Sequence, residues 1–258
     1  MKLYFKNKSG LRLCGVLDEP KKKGDTCVIL CHGLGVDKNE YNNIFVKLKK
    51  RLVQKGMPVF RFDFMAHGES QGKSINMTII KEKYDLEVAV SFLRKLGYKN
   101  FGILGASFGG GAVALFSAQN KKIIKAAVLW NALIDYHSIL KPTLSWPKRN
   151  FGSEAMKRLK KSGYIFIGGS KFKMGKKLFS EMKKLHPGQI MAKTKIPTLF
   201  IHGTNDNYIP YQDSVKYSKL FKNAKVKLLK DAQHGFDDSK EHTEEAIKYT
   251  TDFFAKFI

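Results

Sequence analysis

The 258-residue chain reads as an α/β protein, with a mostly parallel, eight-stranded sheet, helices on both faces and one inserted subdomain. Three observations carry that reading. Short apolar runs alternate with longer stretches whose apolar residues recur at helical spacing, the pattern of strands buried on both faces and joined by crossover helices. Several of the runs end on chemically capable side chains, Ser107 foremost. The alternation breaks once, across residues 131–196, for an interval too long to be a structureless connection.

Residues 2–17 alternate apolar and polar around Asn7-Lys8-Ser9-Gly10, which predicts a hairpin. A loop over 20–24 leads to the apolar run 26–31, a doubly buried strand ending in His32-Gly33-Leu34-Gly35. Tyr41, Ile44, Phe45, Leu48, Leu52 and Val53 share helical spacing, and Gly56 stops that helix. Pro58 opens a strand over 59–62, followed by Asp63 and the turn Ala66-His67-Gly68-Glu69-Ser70. A helix over 79–96 precedes a strand at 101–104, which runs into Gly105-Ala106-Ser107-Phe108-Gly109 and a buried helix to about 119.

After a strand over 126–130 comes the irregular interval. It holds Pro142, Trp146 and Pro147, a helix near 154–161, a small hairpin with a glycine turn over 164–172, and a helix over 176–185. Regular order resumes with a strand at 197–201, a helix over 212–221, a strand over 226–229 and a final helix from 240. The division is therefore a core of 1–130 and 197–258 with a lid subdomain of 131–196. Tyr136, Trp146, Phe151, Tyr164, Phe166 and Phe172 concentrate aromatic surface in that interval, either as a pocket wall or as the lid's own small core.

Composition narrows the partners. No apolar stretch is long enough for a signal peptide at the start or for a membrane span anywhere, so the expectation is a cytoplasmic protein without stable membrane insertion. Cys14, Cys27 and Cys31 are odd in number and lack zinc spacing, which favours reduced core cysteines and no metal. The net charge of +25 comes from 41 lysines against 6 arginines, scattered along the chain. Arginine is the better phosphate fork and no aromatic-interleaved basic motif occurs, so a lysine-rich solvated surface is expected and nucleic acid is not. A homodimer is left open.

In open α/β sheets functional residues sit beyond the carboxyl ends of strands. Ser107 lies at a sharp strand-to-helix turn, where a hydroxyl is thrust past the sheet. A serine nucleophile needs a base to take its proton and a carboxylate to hold the base's tautomer. His234, in a loop between a strand and a helix, is the candidate base. Asp206, in the polar loop Gly203-Thr204-Asn205-Asp206, is the candidate acid, with Asp135 its rival. His32, His67 and His202 also lie at strand ends and are read as turn scaffolding. The amides of Leu34 and Phe108 are candidate donors to a developing oxyanion. Trp146, Tyr208 and Phe236 are the candidate substrate contacts.

These residues carry a resemblance to the α/β-hydrolase superfamily, and within it to small lid-bearing serine esterases of the cinnamoyl or feruloyl esterase-like and monoacylglycerol lipase-like kind. It rests on His32-Gly33-Leu34-Gly35, the stretch from Arg61 to Ser70, Gly105 to Gly109, Gly203 to Asp206, and Gln233-His234-Gly235-Phe236, and covers nearly all of the chain outside 131–196. Ala106 stands where many relatives have His and Ala66 where many have Gly; neither position does chemistry. The resemblance implies an α/β-hydrolase fold and acyl-serine hydrolysis of a small-molecule carboxylic ester, with no cofactor and no metal. Thioesterase, acyltransferase and serine aminopeptidase activity share that chemistry, and a non-catalytic ligand-binding protein is the alternative from another class.

Overall fold

The computed structural model describes residues 1–167 and 171–258. Strands β1 (Lys2–Lys6) and β2 (Arg12–Asp18) form the expected antiparallel hairpin, and β2 pairs antiparallel with β4 (Val59–Phe62). The others, β3 (Thr26–Cys31), β5 (Asn100–Ala106), β6 (Ile124–Trp130), β9 (Thr198–Gly203) and β10 (Ala224–Leu229), run parallel. The eight strands stand in the order β1-β2-β4-β3-β5-β6-β9-β10. The chain goes outward from β3 to β4 and returns to lay β5 on the other side of β3. That reversal opens a crevice at the carboxyl ends of β3 and β5.

Alternation along the buried strands divides the core. Cys27, Ile29, Phe60, Phe62, Phe101, Ile103 and Phe200 face one side, against helices α2 (Ile79–Lys95) and α3 (Gly109–Gln119). Val28, Leu30, Val59, Leu104, Val128 and Ile201 face the other, against α1 (Ile44–Gln54) and α10 (Lys240–Phe257). The helix ends follow local chemistry. Thr78 Oγ1 accepts from the Lys81 amide to cap α2, and Ser239 Oγ accepts from the His242 amide to cap α10, each worth about 1 kcal/mol.

The interval 131–196 differs from expectation in detail. It holds α4 (His137–Leu140), α5 (Ser145–Phe151), α6 (Ser153–Ser162), the antiparallel pair β7 (Tyr164–Phe166) and β8 (Lys173–Gly175), α7 (Lys176–Met182) and α8 (Pro187–Ala192). The hairpin's second strand begins beyond Phe172, and its glycine turn lies outside the described residues. Trp146, expected in an irregular segment, sits in the first turn of α5. Pro147 beside it is tolerated there because the first turn's amides have no helical partner to lose. Tyr136 and Phe151 join Leu159, Ile165, Met174, Leu178 and Phe179 in a third apolar cluster, which also takes in Met77, Ile79, Phe108, Leu115 and Ile209 from outside the interval. Helix α9 (Tyr211–Leu220) then follows β9. Among the described residues no helix is long and apolar enough to cross a membrane.

Candidate active site

Ser107 follows the last residue of β5 with φ of 48°, a left-handed conformation that costs a non-glycine residue on the order of 1–3 kcal/mol. Its backbone is held on both sides. The amide donates to Trp130 O at 2.8 Å, and the carbonyl accepts from Leu133 N at 2.8 Å and Gly110 N at 3.1 Å. Gly109 is required because a Cβ there would overlap the His32 carbonyl oxygen, where the β5–α3 turn crosses the end of β3. Gly110 and Gly111 have different neighbours. A Cβ on Gly110 would meet Ala132 and one on Gly111 the Tyr136 hydroxyl, both in the segment after β6.

Two loops reach Ser107 from the far half of the sheet. His234 lies in the turn after β10, where Asp231, Gly235 and Phe236 all take positive φ. Its Nε2 is 3.0 Å from Ser107 Oγ, and its Nδ1 is 2.7 Å from Asp206 Oδ2. Asp206 follows β9 and is 6 % exposed. Its Oδ1 accepts the amides of Tyr208 (2.7 Å) and Ile209 (3.0 Å), which fixes the carboxylate plane. Since Asp206 can only accept, Nδ1 carries the imidazole hydrogen and Nε2 is left to accept from the Ser107 hydroxyl. Asp135 does not share this site: its carboxylate accepts from Lys216 Nζ (2.9 Å) and the Tyr217 hydroxyl (3.1 Å) on α9.

Electrostatics follow the geometry. Burial opposes charge on His234, but the Asp206 carboxylate, with Glu40 and Asp237 adding to it, raises the imidazole pKa above its ordinary 6.5. Burial likewise opposes charge on Asp206, yet His234 and His202 hold it far below the usual carboxylate range.

His202 braces the loop after β9, as a strand-end histidine would, and does so through the candidate acid itself. It is fully buried, and its Nε2 lies 3.1 Å from Asp206 Oδ2 and 3.1 Å from the Ile209 carbonyl. Two acceptors at Nε2 require the hydrogen there, so Nδ1 accepts from Ser214 Oγ at 2.7 Å. The strand-end position flagged this histidine; nothing local in the sequence showed which carboxylate it would meet. His32 does brace a turn, with Nδ1 on the Gly33 carbonyl (2.7 Å) and Nε2 accepting from the Phe64 amide (3.0 Å). His67 Nδ1 contacts the Met65 carbonyl (3.1 Å).

The loop after β3 is folded around Glu40, a residue the sequence reading passed over. Its carboxylate accepts the Gly33 amide at 2.6 Å and the Tyr41 amide at 3.1 Å, and its own φ is 59°. The amides of Leu34 and Phe108 have no hydrogen-bond partner among the described residues, and both residues line the cavity that holds Ser107 and His234.

That cavity, about 600 Å³, is walled by Ile139, Trp146, Phe151, Ile167, Phe172 and Ile209. Tyr208 stacks on the His234 ring (4.5 Å between centroids, 10° between planes), and Trp146 stacks on Tyr208 (4.4 Å, 22°). Phe236 borders the cavity too, but its side chain is 0 % exposed and packs edge-on against Trp130, so it forms structural wall rather than an open contact. Among the described residues Cys14, Asp63 and Glu69 have the ligand types and spacing for a metal ion. The Lys38 ammonium already bridges the two carboxylates there, at 3.0 Å from each.

Comparison with known proteins shows the family and the fold. The family model described as serine aminopeptidase, S33 matches residues 22–237. A Mycoplasma pneumoniae protein named "Putative esterase/lipase 2" is 27% identical over 216 residues, covering 77% of this chain and 78% of that one. Est1E of Butyrivibrio proteoclasticus, solved with ferulic acid bound, superposes with a TM-score of 0.82 at 23% identity over 99% of this chain and 98% of its own. The Pyrococcus furiosus esterase Pf2001 superposes with a TM-score of 0.70 at 21% identity, over 100% and 92%. At these identities the two structures establish the shared fold.

Proposed function

This chain belongs to the serine aminopeptidase S33 family of α/β hydrolases, and from that premise we propose that it hydrolyses small-molecule carboxylic esters through an acyl-serine intermediate. One observation carries the reading: Ser107 Oγ, His234 and Asp206 are hydrogen-bonded in series on the wall of an apolar cavity. The tautomer set by Asp206 leaves His234 Nε2 free to take the serine proton as Oγ attacks the ester carbonyl carbon. The carbonyl oxygen gains the negative charge beside the Leu34 and Phe108 amides, whose missing partners it supplies. Collapse expels the alcohol, which receives the proton from His234 Nε2. Water then attacks the acyl-serine, giving its proton to the same nitrogen, and the acid leaves as Oγ is reprotonated.

In this reading the interval 131–196 is a lid. Trp146, Tyr208 and Phe172 form an aromatic wall that excludes water and holds the apolar part of the substrate. The choice of ester over amide rests on the esterase-named relatives, since the amide-cleaving chemistry uses the same groups.

The test is a panel of nitrophenyl esters from acetate to long acyl chains, with methyl ferulate and aminoacyl nitroanilides beside it. A burst of nitrophenol stoichiometric with protein, and its loss in Ser107→Ala with kcat down on the order of 10⁵–10⁶, are expected. Turnover of nitroanilides alone would move the assignment to an aminopeptidase, and a tenth of the activity surviving in Ser107→Ala would remove Ser107 from it.

A further inference from the structure

Beyond the three residues of the proposed mechanism, one buried side chain touches that series without a role in it. We propose that His202 is a positioning residue for Asp206, holding the acid's Oδ2 in place with its Nε2–H and thereby setting how strongly Asp206 supports the base. The inference rests on the triad reading above and deepens it.

The geometry carries the argument. Oδ2 of Asp206 receives two imidazole donors, His234 Nδ1 at 2.7 Å and His202 Nε2 at 3.1 Å. The second is immobile. His202 lies on β9 with no exposed surface, its Nε2–H is also drawn to the Ile209 carbonyl at 3.1 Å, and its Nδ1 is occupied by the Ser214 hydroxyl from α9 at 2.7 Å. The ring therefore cannot flip without turning C–H groups toward the Ser214 hydroxyl and the Asp206 and Ile209 oxygens and leaving them unpaired, and the two acceptors at Nε2 lock its tautomer. A donor on a carboxylate oxygen stabilises the ionised form and withdraws charge from the other hydrogen bond made by that oxygen. So His202 performs two tasks. It stops Oδ2 from rotating away from His234, and it moderates the charge that His234 sees. The Ser214 hydroxyl and the Ile209 carbonyl would by themselves satisfy both ring nitrogens, so the Asp206 contact is not needed merely to bury the ring.

The groups that face this network are few. Asp206 meets His234 and His202 and lies near the Tyr208 phenol, whose ring stacks on that of His234. His202 has Asp213 as an electrostatic neighbour on α9, and His234 feels Glu40 and Asp237 besides Asp206. Asp213 is the one that could mimic a signal, because burial and Asp135 raise it to about 6.

The experiment compares wild type with His202→Phe, His202→Gln, Ser214→Ala and Asp213→Asn, measuring kcat, KM and the acidic limb of kcat/KM on one neutral nitrophenyl ester. His202→Phe keeps the ring volume and removes the donor. It should lower kcat about 10- to 100-fold with KM within about threefold of wild type, and move the acidic limb to higher pH, since an unmoderated Asp206 holds the His234 proton more tightly. His202→Gln can place an amide N–H where Nε2 was and should recover most of kcat and of the limb. Ser214→Ala should shift the limb the same way by a smaller amount, and Asp213→Asn should leave it in place. If His202→Phe does not fold, Ser214→Ala decides the matter alone. An acidic limb unchanged in His202→Phe, or in Ser214→Ala where that variant decides, or a limb that follows Asp213→Asn, would overturn the proposal. A Ser107→Ala protein that stays active would instead overturn the triad reading beneath it, so the two failures are told apart.

Discussion

Replacing Asp206 by Asn puts the proposed acid to its sharpest test, because the change keeps shape and removes only charge and acceptor capacity. The amides of Tyr208 and Ile209 bind Oδ1 at 2.7 and 3.0 Å, so the new side chain keeps its carbonyl oxygen there. Its NH₂ then occupies the place of Oδ2, facing the N–H groups of both His234 and His202. Donors cannot face donors in a buried site without loss. His234 relieves the clash by moving its hydrogen from Nδ1 to Nε2, which presents an N–H to Ser107 Oγ and abolishes the acceptor for the hydroxyl proton. A wrong tautomer of this kind costs about 10⁴ in kcat in serine hydrolases, about 5.5 kcal/mol of barrier. Asp135→Asn removes the ion pair with Lys216, whose side chain is 57% exposed, and disturbs the acceptor for the Tyr217 hydroxyl, both remote from Ser107, and should change kcat less than about threefold. The assay is steady-state hydrolysis of nitrophenyl butyrate, with circular dichroism to confirm both variants are folded. If Asp206→Asn kept a tenth of wild-type kcat, or Asp135→Asn proved the more damaging, the acid would be misassigned.

Three further outcomes are expected. The acidic limb of kcat/KM should fall above pH 6.5: the base acts only when neutral, its pKa is raised, and activity is lost as pH drops through that raised value; a midpoint below 6.5 in a pH 5–9 profile would contradict the influence of Asp206 on His234. Trp146→Ala strips the outer ring from the Trp146–Tyr208–His234 stack, so it should change the preference between short and long or aromatic acyl groups by roughly 10- to 100-fold in kcat/KM. Contact with Phe151 makes a drop of a few degrees in Tm expected as well; a large Tm loss with unchanged preference would assign Trp146 to the core. Lys38→Met should destabilise by roughly 3–5 kcal/mol in urea unfolding, since it strands the fully buried Asp63 carboxylate, and adding Asp63→Asn should restore part of the loss; no change in the midpoint would show the pair to be dispensable.

Much of this protein was legible in local pattern. The apolar runs at 26–31, 59–62 and 126–130 predicted β3, β4 and β6 to within a residue or two, because a strand buried on both faces leaves a continuous apolar signature. Ser107, Asp206 and His234 were named as candidates because each follows a strand, and parallel strands deliver all their carboxyl ends to one edge. What failed was whatever depends on where the chain returns. Helix α5 escaped notice because two prolines and a short length hide helical periodicity, while packing of Phe151 in the third cluster stabilises it.

Residue type and spacing by themselves determined the layers, the sheet's direction and which side chains stand at the strand ends, since burial and turn geometry are written into neighbours a few positions apart. Only the tertiary structure decided which carboxylate meets His234, which neighbours make Gly110 and Gly111 necessary, and that His202 sits behind Asp206 with Ser214 behind it. Those partners lie up to 28 residues apart and on different loops and elements, and a hydrogen bond is a matter of tenths of an ångström. Periodicity predicts which side of a strand a residue faces; the packing of the sheet, its helices and the 131–196 interval decides what it touches.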